Sequence, residues 1–262
     1  MKYGHFGSFD QIEMIAAAGY DCVEMFIWDV MSLDEGEFVT ALQKLRNCPI
    51  SCDVFTNPLP RNTLIADEGF DFDSCGEYVK RAVERASKAG VRYFVFGCGK
   101  NRKIPDDKDR KTSEEKNLKV IAMVCDIAAD AGIVVLLEPL GASVTNFALD
   151  IPEIVAYMEK IARPNLKTMV DYRWFLDSGR PFSELEIYAN LIQHAHVDCT
   201  FSRHPERVDP SLGDGCDYTP FFDALKKISY QGIVSVEANT FTDFDRDIRK
   251  GMELLTCHGI PN

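Results

Sequence analysis

The sequence predicts a single (β/α)8 barrel over residues 1–262. Three observations carry this. Eight apolar, strand-like runs alternate with helix-like stretches. A helix-ending glycine stands just ahead of several of these runs, where it closes the helix in the left-handed conformation. The runs are nearly continuous in apolar residues, as parallel strands covered on both faces are. An open doubly wound sheet is the alternative. It usually carries a glycine-rich phosphate turn after its first strand, and Gly4-His5-Phe6-Gly7 does not fit that pattern.

The strands are expected at about 2–6, 21–27, 50–56, 92–98, 133–138, 166–172, 193–199 and 233–238. Glycine joints precede four of them, at Gly19, Gly90, Gly132 and Gly232. Ser8-x-x-Gln11, Ser32-x-x-Glu35 and Thr112-x-x-Glu115 read as capping boxes, and Thr219-Pro220 as a cap followed by proline in the first turn. Leu118, Ile121, Ala122 and Cys125 share one helical face, as do Tyr78, Ala82 and Ala86. A helix near 184–190 is short, and nothing reads as a linker, a low-complexity tract or a second domain.

Composition narrows the function classes. The chain is 46% hydrophobic and 27% charged, an ordinary globular mix. At 262 residues it is long enough to bury a core without staples. Its net charge of −12 repels phosphate backbones, which excludes general nucleic-acid binding and weighs against an anionic membrane surface. There is no uncharged apolar run of about 18 residues, the length a membrane helix needs. The first residues have no basic head followed by an apolar run, so no signal peptide is read. The nine cysteines are odd in number, irregularly spaced and without a C-x-x-C pair. They read as reduced thiols serving as small hydrophobes, which implies a cytoplasmic protein.

In a barrel of this kind the reactive groups stand where strands end. The fifth strand ends in Leu137-Glu138-Pro139 and the sixth in Val170-Asp171-Tyr172. The seventh carries His194-Ala195-His196-Val197-Asp198, and the eighth ends in Val236-Glu237-Ala238. Any one of these alone reads as a solvated strand end or a structural histidine. Four on consecutive strands form a set whose carboxylates repel, and a divalent cation removes that repulsion. The oxygen-rich donors suit Mn2+ or Mg2+ best, with Co2+ and Zn2+ compatible.

With these segments and Gly19-Tyr20-Asp21-Cys22-Val23-Glu24, the chain resembles the xylose-isomerase-like TIM barrel superfamily along essentially its whole length. Within it, the chain is similar to the sugar phosphate isomerase/epimerase family, which includes ketose 3-epimerases, hydroxypyruvate isomerase, and inosose isomerases and dehydratases. The resemblance implies one divalent cation, Mn2+ first, on Glu138, Asp171, His196 and Glu237. His196 is preferred to His194 on the expectation that the two face opposite sides of their strand. The resemblance also implies proton transfer next to a carbonyl of a small sugar or sugar derivative, through an enediolate, with Glu138 and Glu237 as acid and base. Asp198 would orient a neighbour.

His5, Trp174, Arg203 and Lys100 are the candidate substrate contacts. Arg207 competes with Arg203, Lys100 belongs to a basic loop with Arg102 and Lys103, and Phe26 and Trp28 are candidates for an apolar wall. Two departures from the family pattern stand out. Trp174 replaces a histidine, and Val144 replaces a second glutamate, which removes two partners for sugar hydroxyls. A lyase that expels a β-hydroxyl, and a non-catalytic barrel with a relic site, are the other readings. Homo-oligomerisation stays open.

Overall fold

Eight parallel strands, β1 (Lys2–Phe6), β2 (Cys22–Phe26), β3 (Ser51–Thr56), β4 (Tyr93–Phe96), β5 (Val134–Leu137), β6 (Leu166–Asp171), β7 (Ile192–Val197) and β8 (Ile233–Val236), close into a barrel in chain order. The computed structural model describes residues 1–200 and 203–259. The helices are α1 (Ile12–Ala17), α2 (Ile27–Ser32), α3 (Glu35–Asn47), α4 (Phe72–Ala89), α5 (Gly99–Arg102), α6 (Arg110–Ala129), α7 (Ile151–Ile161), α8 (Tyr172–Asp177), α9 (Thr219–Lys227) and α10 (Phe244–His258). The short helix expected near 184–190 is a 3-10 helix, Phe182–Tyr188. α2, α5 and α8 follow their strands with two residues or fewer between and are only 6, 4 and 6 residues long, too short for the periodicity of a helix to show in the sequence.

The chain forms two compact units, one of residues 1–25, 39–52 and 169–262, the other of 26–38 and 53–168. In the first, β1 pairs with β8 through Gly4↔Ser235 and with β2 through Phe6↔Glu24. A side chain at Gly4 would stand 2.5 Å from the Ser235 hydroxyl and 2.9 Å from the Cys22 sulfur, so this close approach requires glycine. Tyr172, Phe182 and Phe221 meet with ring centroids 5.5–6.0 Å apart and pack the 3-10 helix against α9. In the second unit, β3, β4 and β5 pair in order, and α4 packs on α6. The buried face of α6 runs through Asn117, Val120, Ile121, Val124, Cys125 and Ala128, turned slightly from the expected one, so that Leu118 and Ala122 lie at its margin.

Helix starts are shifted from their expected places. The box expected at Ser32/Glu35 is made by Asp34 and Glu37, each side chain accepting from the other's backbone N–H at 2.8 Å, while the Ser32 hydroxyl donates back to the Asp29 carbonyl. At α6 the cap is Asp109, whose carboxylate accepts from the Thr112 N–H, so Thr112 lies inside the helix. An aspartate meets the orphan amides with an acceptor that also carries the negative charge a helix N-terminus favours, which the hydroxyls that the pattern pointed to lack. Gln11 does reach back to the Ser8 N–H, although α1 begins only at Ile12. The helix starting at Thr219 has its proline in the first turn, but no side chain caps it from Tyr218.

Gly19, Gly90 and Gly132 take positive φ as expected, whereas Gly232 does not; Ser229, at φ 53°, makes that turn instead. Gly90 closes α4 at φ 82°, with its N–H donating to Ala86 and Ser87 carbonyls and open space where a Cβ would stand. Gly90→Ala is therefore expected to cost about 1–2 kcal/mol from backbone strain alone. Gly69→Ala, in open space without a positive φ, is expected to be neutral or slightly stabilising. Urea unfolding of the two variants measures the difference.

Candidate metal centre and active site

The strand-end residues of the first unit meet. Asp171 ends β6, His196 lies one residue from the end of β7, and Glu237 follows β8. The His196 Nδ1 is 3.0 Å from Glu237 Oε2 and 4.0 Å from Asp171 Oδ2. Asp171 and His196 are fully buried, and the Glu237 side chain is 12% exposed. Asp171 also caps α8, accepting from the Trp174 N–H at 3.0 Å. Burial raises its carboxyl above the usual range; the neighbouring Arg207 pulls it down and Glu237 pushes it up.

Both strand-seven histidines point the same way, which corrects the expected alternation. Residues two apart on a strand share a face. Their Nε2 atoms bind the two oxygens of one carboxylate, Glu24, at 2.9 Å for His194 and 3.0 Å for His196. All three side chains are fully buried. Burial works to raise the Glu24 carboxyl, but His196 and His194 outweigh it and hold it well below the usual carboxylate range. A carboxylate at Nε2 favours a proton there, and the His196 Nδ1 faces Asp171 and Glu237, where it is the atom a divalent cation would take in place of a proton. Glu24 interrupts the apolar run Cys22-Val23-Glu24-Met25 in the same manner as the other strand-end acids, and that was the signal available for it.

Arg207 brings a positive charge to this group. Its guanidinium lies 2.7 Å from Glu237 Oε2, 3.1 Å from Asp171 Oδ2 and 3.3 Å from Asp198 Oδ1. It also sits 5.4 Å from the centre of the Trp174 ring. Asp198 is paired as well with the buried Arg173 at 2.7 Å. Burial pushes the Asp198 carboxyl up to about 8, against the pull of Arg207 and Arg173 and with the repulsion of Asp171 and Glu237. Arg173 donates further to the carbonyls of Pro205 and Glu206, and the Arg207 carbonyl accepts from the Asn239 and Thr240 N–H groups. The segment after β7 is thus tied down around Arg207.

Glu138, in the second unit, follows β5 and is 3% exposed. Its N–H donates to the Phe96 carbonyl, and its own carbonyl accepts from the buried Arg102 at 2.7 Å. A Cβ on Gly97 would stand 2.5 Å from Glu138 Oε2, so this glycine leaves the carboxylate its room. Arg102, read in the sequence only as part of a basic loop, is a fully buried support of β4 and β5; burial lowers its pKa to about 10.

The other candidates are placed unevenly. Trp174 is buried beside Asp171. His5 is fully buried with both ring nitrogens engaged, one to the Phe6 carbonyl at 2.6 Å and one to Asp209 at 2.9 Å. Arg203 is exposed and lies over Gly215, so Arg207 rather than Arg203 reaches the acidic group. Lys100 is exposed in α5, where it lines a hollow with Lys103, Ser143 and Val144. Trp28 stacks on Phe26 at 5.7 Å and donates to the Leu59 carbonyl. Among the described residues no helix is long and apolar enough to cross a membrane.

Comparison with known proteins gives the family. A family model described as xylose isomerase-like TIM barrel matches residues 12–257. A putative hydroxypyruvate isomerase of Xenopus laevis is 31% identical over 131 residues, 48% of this chain and 46% of that protein. That match therefore spans about half of the relative's length. A ketose 3-epimerase of Arthrobacter globiformis is 25% identical over 240 residues, 90% of this chain and 80% of that protein. Among solved structures, a D-psicose 3-epimerase crystallised in the presence of D-fructose superposes with a TM-score of 0.83 at 17% identity, covering 98% of this chain and 99% of that one.

Arg207 is the nearby positive charge that holds Asp171, Asp198 and Glu237 together. Arg207→Met is expected to cost about 3–5 kcal/mol in metal-chelated buffer, because it leaves buried carboxylates uncompensated. Added Mn2+ is expected to return part of that loss through its own binding to the folded chain. Urea unfolding with chelator and with Mn2+ measures both.

Proposed function

Since the chain belongs to the xylose isomerase-like TIM barrel family, we propose that it is a divalent-metal-dependent isomerase or epimerase of a small sugar or sugar derivative. The observation that carries this reading is the donor set. Asp171, His196 and Glu237 each bring a ligand atom within 4.8 Å of the others, and Glu138, buried just past β5, is the fourth donor that the family resemblance implies. Three carboxylates and an imidazole lone pair fit a hard divalent cation, and we assign Mn2+ as the first candidate. Such a cation supplies Lewis-acid stabilisation of the oxygen charge that develops when a proton leaves the carbon next to a carbonyl.

The chain's own residues do the rest. Glu138 and Glu237 are the acid and base, one taking the proton from carbon and the other returning it. Return to the same carbon on the opposite face inverts it, and return to the neighbouring carbon interconverts aldose and ketose. Asp171 and His196 are ligands only, and Glu24 holds His196 in the tautomer that ligation needs. Arg207 reaches the same Asp171 and Glu237 oxygens, and with Trp174 it forms a wall for substrate. Asp198 orients Arg207 and Arg173. Lys100 and Arg203 are each exposed cations suited to an anionic end of a substrate, and His5 supports Asp209. Trp174 and Val144, where the family pattern has polar side chains, favour a substrate with few hydroxyls.

Mass spectrometry of Mn2+-loaded, desalted protein is expected to find about one ion per chain, reduced in Glu237→Gln. In D2O, the loaded protein is expected to wash deuterium into a small ketose or keto-acid substrate without other mass change. Glu138→Gln and Glu237→Gln are each expected to slow this by about 10²–10⁴-fold, because an amide cannot accept the proton. Full wash-in by either variant overturns the two-glutamate assignment, and loss of water from the substrate replaces isomerisation with lyase chemistry.

Glu24→Gln gives a separate readout. An amide oxygen accepts from only one of the two histidines, and the amide N–H groups drive the other to the opposite tautomer. Calorimetry is expected to show Mn2+ affinity weakened by about 10–100-fold, with the barrel still folded by circular dichroism.

A further inference from the structure

Two of the nine cysteines stand apart from the apolar role read in the sequence. Cys199, just past β7, and Cys216, seventeen residues on, place their sulfurs 3.2 Å from each other. Cys199 is fully buried and Cys216 half-buried, and neither is in a disulfide. We propose that Cys199 and Cys216 form a reversible disulfide, a redox modification site that clamps the segment carrying Arg207.

The pair is held in place by its surroundings. The Asp214 carboxylate accepts from the Ser211 N–H at 2.9 Å, the Cys216 N–H at 2.8 Å and the Tyr218 hydroxyl at 2.7 Å. Gly213 and Gly215, at φ 82° and 88°, make the tight turns on either side of Asp214. The Cys199 N–H donates to the Val208 carbonyl at 3.4 Å, next to Arg207 in the chain. Asp214 has its oxygens occupied in shaping this turn, so the cluster of Cys199, Asp214 and Cys216 is a poorer metal site than it is a thiol pair. A disulfide needs the sulfurs at about 2.05 Å, so they close by about 1 Å on a turn flanked by two glycines.

The half-exposed Cys216 is the thiol a peroxide reaches first. Its sulfur is oxidised to sulfenic acid as the O–O bond breaks and one water leaves. The Cys199 sulfur then attacks the sulfenic sulfur, the S–S bond forms and the S–O bond breaks. The oxygen departs as a second water, taking the Cys199 proton. Two thiols are oxidised and one peroxide is reduced. Cys199 is fully buried, and burial with Cys216 and Asp214 beside it pushes its thiol up to about 12, so it is not the first target; its place 3.2 Å from Cys216 makes it the resolving sulfur. A thiol reductant reverses the bond.

The test is hydrogen peroxide treatment of the reduced, metal-chelated 262-residue chain, followed by alkylation and a non-reducing digest. The expected result is a Cys199–Cys216 cross-linked peptide and a Tm raised by roughly 5–10 °C, both reversed by dithiothreitol. Cys257→Ser, which removes an exposed thiol, is expected to leave both results intact. Cys216→Ser is expected to abolish both. Recovery of Cys199 and Cys216 as alkylated thiols while Cys257 is oxidised overturns the proposal, as does a rise in Tm that persists in Cys216→Ser.

Discussion

Charge compensation at the strand ends of the first unit is the constraint on which the rest of that unit depends. Glu24, Asp171, Asp198 and Glu237 lie close together, three of them fully buried. An isolated buried carboxylate is too costly to keep ionised, so each must have a partner. Two imidazoles serve Glu24. Arg173 serves Asp198, and Arg207 is shared by Asp171, Asp198 and Glu237. The group is divided into a histidine-balanced half and an arginine-balanced half, joined at His196, which touches Glu24 through Nε2 and Glu237 through Nδ1.

This division bears on the course of residues 203–218, between β7 and α9. Arg207 is no part of a strand or helix, yet its charge has to stand within hydrogen-bond reach of two carboxylates. The chain fixes it through its backbone: Arg173 grips the two preceding carbonyls, and Asn239 and Thr240 grip its own. Further on, Tyr172 donates to the Asp217 carbonyl, and Asp214 organises the turn that brings Cys216 to Cys199. A connection between a strand and a helix normally tolerates variation. Here the bonds to the Pro205, Glu206 and Arg207 carbonyls fix the backbone from which one guanidinium extends.

The barrel was legible because buried parallel strands write themselves as apolar runs, and the positions of all eight follow from that. The caps were less legible. Ser32 and Thr112 fit the spacing of a box, but Asp34 and Asp109 offered stronger acceptors nearby, and spacing alone does not rank acceptors. Asp171, His196 and Glu237 stand out in the sequence because a polar residue ending an apolar run is conspicuous, and the structure brings these three side chains together. Glu24 obeys the same rule and was left without a role, since its partners come from a strand far away in sequence. Arg207 and Arg203 could not be ranked from their distance to His196. What separates them is the fold of a loop, and that is set by hydrogen bonds with no periodicity to read.

The two arginines of the acidic group also bear on why Trp174 stands where the family pattern has a histidine. Arg207 already brings a cation to within 5.4 Å of the ring at position 174. A second imidazole there would compete for the same carboxylates and, when protonated, would repel the guanidinium. An indole instead offers its π face to Arg207, an attraction that adds no charge to the group. Trp174, Asp171, Glu237 and Arg207 are all largely withdrawn from solvent, so Arg207 meets the two carboxylates where water screens their attraction little. Tryptophan at 174 and arginine at 207 are therefore one solution to one problem. Replacing either alone would disturb the balance that the other depends on.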